Sequence, residues 1–318
     1  MARVVYIVGY GRSGSTLLDR LLGVHPDIVS CGELCNLVRA FRSQDERCSC
    51  GSVVADCAFW SAVMRRWCEG VSACDIAEYE NLRLRFEPQY RVAIPRDDLS
   101  SVNRDFARYR LYTRALFNAI AAESGALIVV DSSKNAARAA NLCGFTDLNV
   151  VLLHLIRDPR GVASSLVRPH ARAPREGVQR MILGRSVVRT GIAWMLTNLL
   201  VNRLCRARRE RSILVRYEDY VTQPQRVFQQ VGALLGLDLA DVVRCAASVA
   251  PLGAARHMVA GNRMRMQVRP DIAPQARSGG DLRAFPYLVV SLLTLPLLLR
   301  FGYPFKGLAL VNRGRTPS

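Results

Sequence analysis

Apolar residues gather into five short runs along the chain, and each run ends in small, hydroxyl or charged residues. Val4–Val8, Ile28–Cys31, Ala126–Val130, Asn149–Ile156 and Ser212–Arg216 have the length of strands. The fourth is almost continuously apolar, as strands of a parallel sheet covered on both faces are. Between the runs, apolar positions recur at helical spacing: Thr16–Leu22, Gly32 to about Phe41, Phe106–Glu123, Asn135–Cys143, Met181–Arg208 and Pro224–Leu235, the last closed by Gly236. A further helix starts at Pro159, a favoured first position. This alternation predicts an α/β fold, a doubly wound and mostly parallel sheet flanked by helices, as one domain over residues 1–318. Residues from about 45 to 105, cysteine-rich and then polar, are expected to form an insertion or lid over the site. Residues from about 281 to 318 form an apolar C-terminal extension.

The first strand runs into Gly9-Tyr10-Gly11-Arg12-Ser13-Gly14-Ser15-Thr16, and a helix runs out of it. Strand, glycine-rich turn and helix make a phosphate cradle. Backbone N–H groups approach the anion, and the helix N-terminus adds partial positive charge. The Gly9-to-Gly14 spacing fits the P-loop NTPase frame, which places Lys next. Ser15 stands there instead, and the loop's cation is Arg12.

Charge strengthens the anion reading. The net charge is +18, and of 44 basic residues only Lys134 and Lys306 are lysine. Arginine's planar fork suits phosphate, sulfate and carboxylate, although a GC-rich coding sequence explains the same bias. An excess this large fits a polyanionic ligand, nucleic acid or an anionic membrane. No helix-turn-helix or RNA-stacking motif supports nucleic acid. Strand one begins at about Arg3, which leaves no room for a secretory signal before it and points to a cytoplasmic protein. The longest apolar stretch, Tyr287–Leu299, is too short to span a bilayer and contains Pro296. It reads as a helical pair packed on the core, with peripheral contact to the inner membrane surface as the alternative.

Four segments fall at carboxyl ends of strands, where open α/β sheets bind ligands: the opening loop, Asp131–Lys134, Arg157–Ser165 and Tyr217. A kinase or NTPase would use a loop Lys and a Mg²⁺ held by Ser/Thr and a strand-end Asp. Thr16 and Asp131 could imitate the metal ligands, but the Lys is missing.

Arg157-Asp158-Pro159-Arg160-Gly161-Val162-Ala163-Ser164-Ser165, taken with the Arg12 loop, resembles the sulfotransferases that use 3′-phosphoadenosine 5′-phosphosulfate (PAPS), in their bacterial form. The resemblance runs from about Val4 to Arg265. It implies that Gly11, Arg12, Ser13, Gly14, Ser15 and Thr16 hold the 5′-phosphosulfate, and that Arg157 and Ser165 meet the ribose 3′-phosphate. Arg216-Tyr217-Glu218-Asp219 is similar to a family segment whose Tyr lies near the nucleotide. Gly261-Asn262-Arg263-Met264-Arg265 resembles a late basic loop that closes over it, implicating Asn262, Arg263 and Arg265. Ser30-Cys31-Gly32-Glu33-Leu34 is similar to the Cys-Gly-Glu of tyrosylprotein sulfotransferases and implies that Glu33 is the base, with His25 as the rival. Lys134 is similar to a Lys those enzymes set against the sulfuryl oxygens. In-line sulfuryl transfer would then rest on positioning and charge, with Arg12 and Lys134 as cations and no metal ion required. The acceptor would be a small-molecule or lipid-linked alcohol, a sugar or a phenol. The alternatives are a P-loop kinase or NTPase, and a non-catalytic basic binder of membrane or nucleic acid.

The ten cysteines divide. Cys143, Cys205 and Cys245 sit in helical apolar patterns as core residues. Cys48, Cys50 and Cys57 could form a metal knuckle if Cys31 or Cys35 joined them, but the Cys-x-Cys spacing is tighter than the usual zinc pattern. Free thiols or one local disulfide are the expectation for them.

Overall fold

The computed structural model describes residues 2–88, 104–169, 171–178, 183–248, 257–267 and 282–305. All five expected strands form: β1 (Arg3–Val8), β2 (Ile28–Ser30), β3 (Ile128–Lys134), β4 (Asn149–Ile156) and β5 (Ser212–Arg216). They make one sheet in the order β2-β3-β1-β4-β5, and every pairing is parallel. The chain fills β2 and β3 on one side of β1 and then crosses to β4 and β5 on the other. The reversal therefore lies at β1, where the carboxyl ends of β3, β1 and β4 stand side by side.

Helix α1 (Ser15–Leu22) follows β1, and α2 (Leu37–Phe41) follows β2. Helices α3 (Ala58–Glu69), α4 (Ile76–Phe86) and α5 (Arg104–Ser124) precede β3; α6 (Ala136–Cys143) follows it. After β4 come α7 (Pro159–Val167) and α8 (Val187–Ala207). After β5 come α9 (Tyr217–Thr222), α10 (Pro224–Leu235) and α11 (Ala240–Ala247), with α12 (Ala284–Leu293) and α13 (Leu295–Arg300) last. Helix α8 starts later than its apolar pattern suggests, because Ser186 caps it by accepting the Arg189 N–H.

Side-chain alternation along β1 separates two cores. Val4, Tyr6 and Val8 join Trp60, Trp67, Tyr109 and Leu116 on one face, whereas Val5 and Ile7 join Leu17, Leu21, Phe228 and Val231 on the other. Helices α3 and α4 are therefore built into the first core, with Trp60, Trp67 and Tyr79 fully buried. Residues 89–103 of the expected lid lie outside the described residues. The C-terminal pair α12–α13 forms as expected, placing Leu297, Leu298 and Phe301 against Trp194 of α8 and leaving Phe285, Leu292 and Leu299 exposed. Among the described residues, no helix is long and apolar enough to cross a membrane.

Candidate functional site

The loop after β1 takes its shape from two left-handed residues. Gly14 (φ 91°) precedes α1, and a Cβ there would lie 2.4 Å from the Tyr217 ring and 2.5 Å from the Tyr220 hydroxyl, which donates to the Gly14 carbonyl. Arg12 adopts φ 66°, unusual for a residue with a Cβ. Strain of this kind collects where a side chain must be aimed. Its Nε donates to Ser165 Oγ at 2.9 Å, joining the loop to the second turn of α7. Helix α1 has no side-chain cap and no acid in its first turn, so its leading N–H groups and partial charge are left to an anion. Ser13 Oγ, between two cavity-lining residues, is buried with no hydrogen-bond partner.

At the neighbouring strand ends, Glu33 and Lys134 meet. Lys134, also left-handed (φ 65°), donates from Nζ to Glu33 Oε1 at 2.5 Å and to the Ser132 carbonyl at 2.9 Å. Asn36 Nδ2 donates to Glu33 Oε2 at 3.0 Å, so both carboxylate oxygens are oriented. Glu33 stands at the N-cap of the short helical turn Leu34–Asn36, but its carboxylate does not cap that turn, and its N–H goes to the Val259 carbonyl. The backbone around it is pinned to side chains of α1 and β3. Gly32 N–H donates to Asp19 Oδ2, Leu34 N–H to Asp131 Oδ1 and Cys35 N–H to Ser133 Oγ. Asp131 itself is fully buried and paired through its other oxygen with Arg138 Nε at 2.8 Å. It braces the Glu33 loop instead of facing the cavity as a metal-holding Asp would.

Arg157 follows β4 directly and stacks over the Tyr217 ring, 4.4 Å from its centroid, while its guanidinium donates to the Arg12 carbonyl. From the far side, Asn262 N–H donates to Thr16 Oγ1 at 3.3 Å. Arg20, buried in α1, holds the Met264 and Gln267 carbonyls at 2.6 and 2.7 Å. Together these segments enclose a cavity of about 580 Å³, the size of small-molecule sites.

Gly11, Arg12, Gly14, Ser15, Thr16, Glu33, Lys134, Arg157, Ser165, Tyr217, Asn262 and Arg263 all line it. Two expected residues do not. Ser13 turns inward, and Arg265 is buried with its guanidinium on the carbonyls of Gly177, Gly261 and Arg47, so it braces the late loop from behind. His25 is also elsewhere; its Nδ1 accepts the Asp27 N–H in the turn after α1. No described residue between 45 and 88 lines the cavity. Leu17, Met264 and Gln267 line it without having been singled out. Asp19 and Arg20, which hold the walls in place, were missed, and Asp131, singled out as a possible metal ligand, is a brace instead; the one available signal for the first two was charge inside an otherwise apolar run.

Charge in the cavity is lopsided. Burial, reinforced by the neighbouring charges of Arg157 and Arg263, pulls the Arg12 guanidinium below its ordinary value. Of the described residues lining the cavity, Glu33 alone is acidic.

A sulfotransferase family profile matches residues 5–241, a span that includes the opening loop, Glu33, Lys134, Arg157, Ser165 and Tyr217. The chain belongs to the sulfotransferase family. No curated protein matches the sequence. Among solved structures, it is similar to the sulfotransferase domain of the Synechococcus PCC 7002 olefin synthase, at 18% identity over 96% of this chain and 97% of that one, with a TM-score of 0.49. The sulfotransferase domain of the curacin biosynthetic pathway gives 15% identity, 96% and 99% coverage and 0.47. The sulfotransferase STF9 from Mycobacterium avium gives 15% identity, 96% and 78% coverage and 0.47. The match to the family profile carries the family assignment.

Proposed function

We propose that this sulfotransferase takes its sulfuryl group from PAPS and delivers it to an acceptor hydroxyl, with Glu33 as the base. The observation that carries the reading is the single cavity in which Arg12 and the open end of α1 face Arg157 and Ser165, with Glu33 and Lys134 between them. A guanidinium cluster with one carboxylate suits a ligand bearing two separated phosphate-like groups.

Bound PAPS supplies an activated sulfuryl group; the remaining work falls to the chain. Arg12, the loop N–H groups and the hydroxyls of Ser15 and Thr16 neutralise charge at the 5′-phosphate end. Arg157 and Ser165 hold the 3′-phosphate end, and Asn262 and Arg263 cover the nucleotide. Lys134 sets the direction of the Glu33 carboxylate, and Glu33 accepts the acceptor's proton. The positions of Arg12 and Lys134 let side chains supply the positive charge for transfer, without a metal ion in this cavity.

The acceptor class we favour is a lipid-linked alcohol. Val188, Ile192, Leu196 and Leu199 form an exposed apolar stripe along α8, and neighbouring α12 adds Phe285, which is 76% exposed. Arg189, Arg283 and Arg300 flank this surface in sequence, an arrangement suited to peripheral contact with anionic lipid.

Calorimetry with adenosine 3′,5′-bisphosphate and ATP, with and without Mg²⁺, tests the donor. Metal-independent binding of the bisphosphate and no heat from ATP are expected. Mg²⁺-dependent ATP binding with no response to the bisphosphate would replace the reading with a kinase or NTPase. The buried Asp131–Arg138 pair, which takes away the obvious Mg²⁺ ligand, argues against that outcome.

A further inference from the structure

Away from the cavity, three cysteines and a histidine converge. Cys48 and Cys50 sit on a tight loop in which the Cys48 N–H bonds the Ser52 carbonyl and the Gly51 N–H bonds the Cys48 carbonyl. Gly51, at φ 97°, takes the left-handed backbone that closes the turn. Cys57 stands at the start of α3. His257 comes from 200 residues further on, and its ring stacks on Phe59 at 4.7 Å.

The spacing of these groups is that of a metal site. The Sγ atoms of Cys50 and Cys57 are 3.7 Å apart, and those of Cys57 and Cys48 are 3.8 Å apart. His257 Nδ1 lies 3.3 Å from Cys57 Sγ and 3.8 Å from Cys48 Sγ, and all four ligand atoms fall within 4.8 Å of one another. A tetrahedron with zinc–sulfur bonds of about 2.3 Å has sulfur–sulfur edges of about 3.8 Å and sulfur–nitrogen edges of about 3.5 Å. None of the three thiols is in a disulfide; the pair that is bonded is Cys68–Cys74. The fourth group is His257, not the Cys31 or Cys35 that a knuckle read from the sequence would have needed, and the expected local disulfide does not form among these three.

We propose that Cys48, Cys50, Cys57 and His257 bind one zinc ion, which fastens the loop after α2 to the segment that forms the far wall of the cavity. Three thiolates and an imidazole are soft, borderline donors that select zinc over magnesium or calcium, and four protein ligands make a closed, structural site. Cys48 and Cys57 are buried, and the four ligand atoms stand close enough together for one ion to contact all of them. Around the cluster the two segments are already stitched together. Met258 N–H donates to Ser49 Oγ, Ser49 N–H to the Met258 carbonyl, and Arg265 to the Arg47 carbonyl. His257 is only four residues before Gly261, so the ion would anchor the stretch that presents Gly261, Asn262 and Arg263. The inference is independent of the donor and acceptor proposed above, because it is decided by metal content.

The test is elemental analysis of the full-length chain purified under reducing conditions without chelator, with a mercurial titration of the thiols followed by a zinc-sensitive dye. One zinc per chain, released as the thiols are blocked, is expected. Cobalt(II) exchange should give the visible bands of tetrahedral thiolate coordination. Cys50→Ser and His257→Ala should each lose most of the zinc to a mild chelator, whereas His257→Cys and Cys205→Ser should keep it. The proposal is overturned if the folded wild-type chain carries no zinc and takes up neither zinc nor cobalt. Iron in place of zinc, or zinc content unchanged in both Cys50→Ser and His257→Ala, would overturn it equally. The wild-type titration needs no variant, so a variant that fails to fold leaves the outcome decidable.

Discussion

Lys134 Nζ lies 2.5 Å from Glu33 Oε1, and the two residues come from the ends of adjacent parallel strands. Both side chains are about four-fifths buried, so the contact is set by the fold more than by surface chance. The pairing puts a carboxylate and a cation side by side in the wall of the cavity.

Glu33→Gln keeps the size of the side chain and the bond to Asn36 but removes the proton acceptor. Turnover should fall by about 10²–10⁴-fold, with donor affinity changed little. Steady-state kinetics across pH, with bisphosphate calorimetry on the same preparation, measures both. Wild-type turnover at every pH would remove Glu33 from the role of base.

Arg157 and Ser165 are proposed to read the 3′-phosphate, so their loss should matter only when that group is present. Arg157→Ala should weaken binding of adenosine 3′,5′-bisphosphate by about 10–100-fold, the range of one charge-assisted hydrogen-bond set. Binding of adenosine 5′-monophosphate should change far less. An equal loss for both nucleotides would place Arg157 elsewhere on the ligand, and the Tyr217 stack would then be its main role.

The apolar stripe on α8 and Phe285 on α12 predict association with vesicles containing anionic lipid, weakening as salt rises. Ile192→Glu and Phe285→Glu together should abolish co-sedimentation while leaving bisphosphate binding intact. Neither residue lines the cavity. Retained sedimentation in the double variant would assign the contact to another face.

Much of this was readable from residues alone, for definite reasons. Continuous apolar runs mark parallel strands whatever surrounds them, and residues at strand ends must meet at one edge of the sheet. Arg12, Glu33, Lys134 and Arg157 were therefore locatable from local pattern and topology together. The braces were not. Asp19 and Arg20 look like ordinary polar positions of a helix, yet both are buried, because α1 is enclosed all round. Arg265 sits two residues from Arg263 in a basic run, and only packing shows that one faces the cavity and the other faces carbonyls. His257 is separated from its cysteines by some two hundred residues, a distance at which no spacing rule operates.

Asp19 gives the sharpest consequence for stability. Its Oδ2 accepts the Gly32 N–H at 3.1 Å and the Ser132 hydroxyl at 2.7 Å, so one carboxyl ties the backbone next to Glu33 to a side chain two residues from Lys134. Its other oxygen is buried without a partner. Burial, only partly offset by those hydrogen bonds, lifts its pKa from an ordinary 3.8 to about 7. Between these values the folded chain binds a proton that the unfolded chain has released, so this group makes folding less favourable as pH rises from about 4 to about 7. The loss across that window is on the order of 4 kcal/mol, and it levels off above it. Asp19→Asn keeps a carbonyl oxygen for both donors and cannot ionise. Its Tm should match the wild type near pH 4 and exceed it near pH 8. In thermal melts, a wild-type curve that did not fall relative to Asp19→Asn between those values would show that Asp19 is ionised in the folded protein. The brace would then be a charged one, and Asp19→Asn should loosen Glu33 and lower turnover.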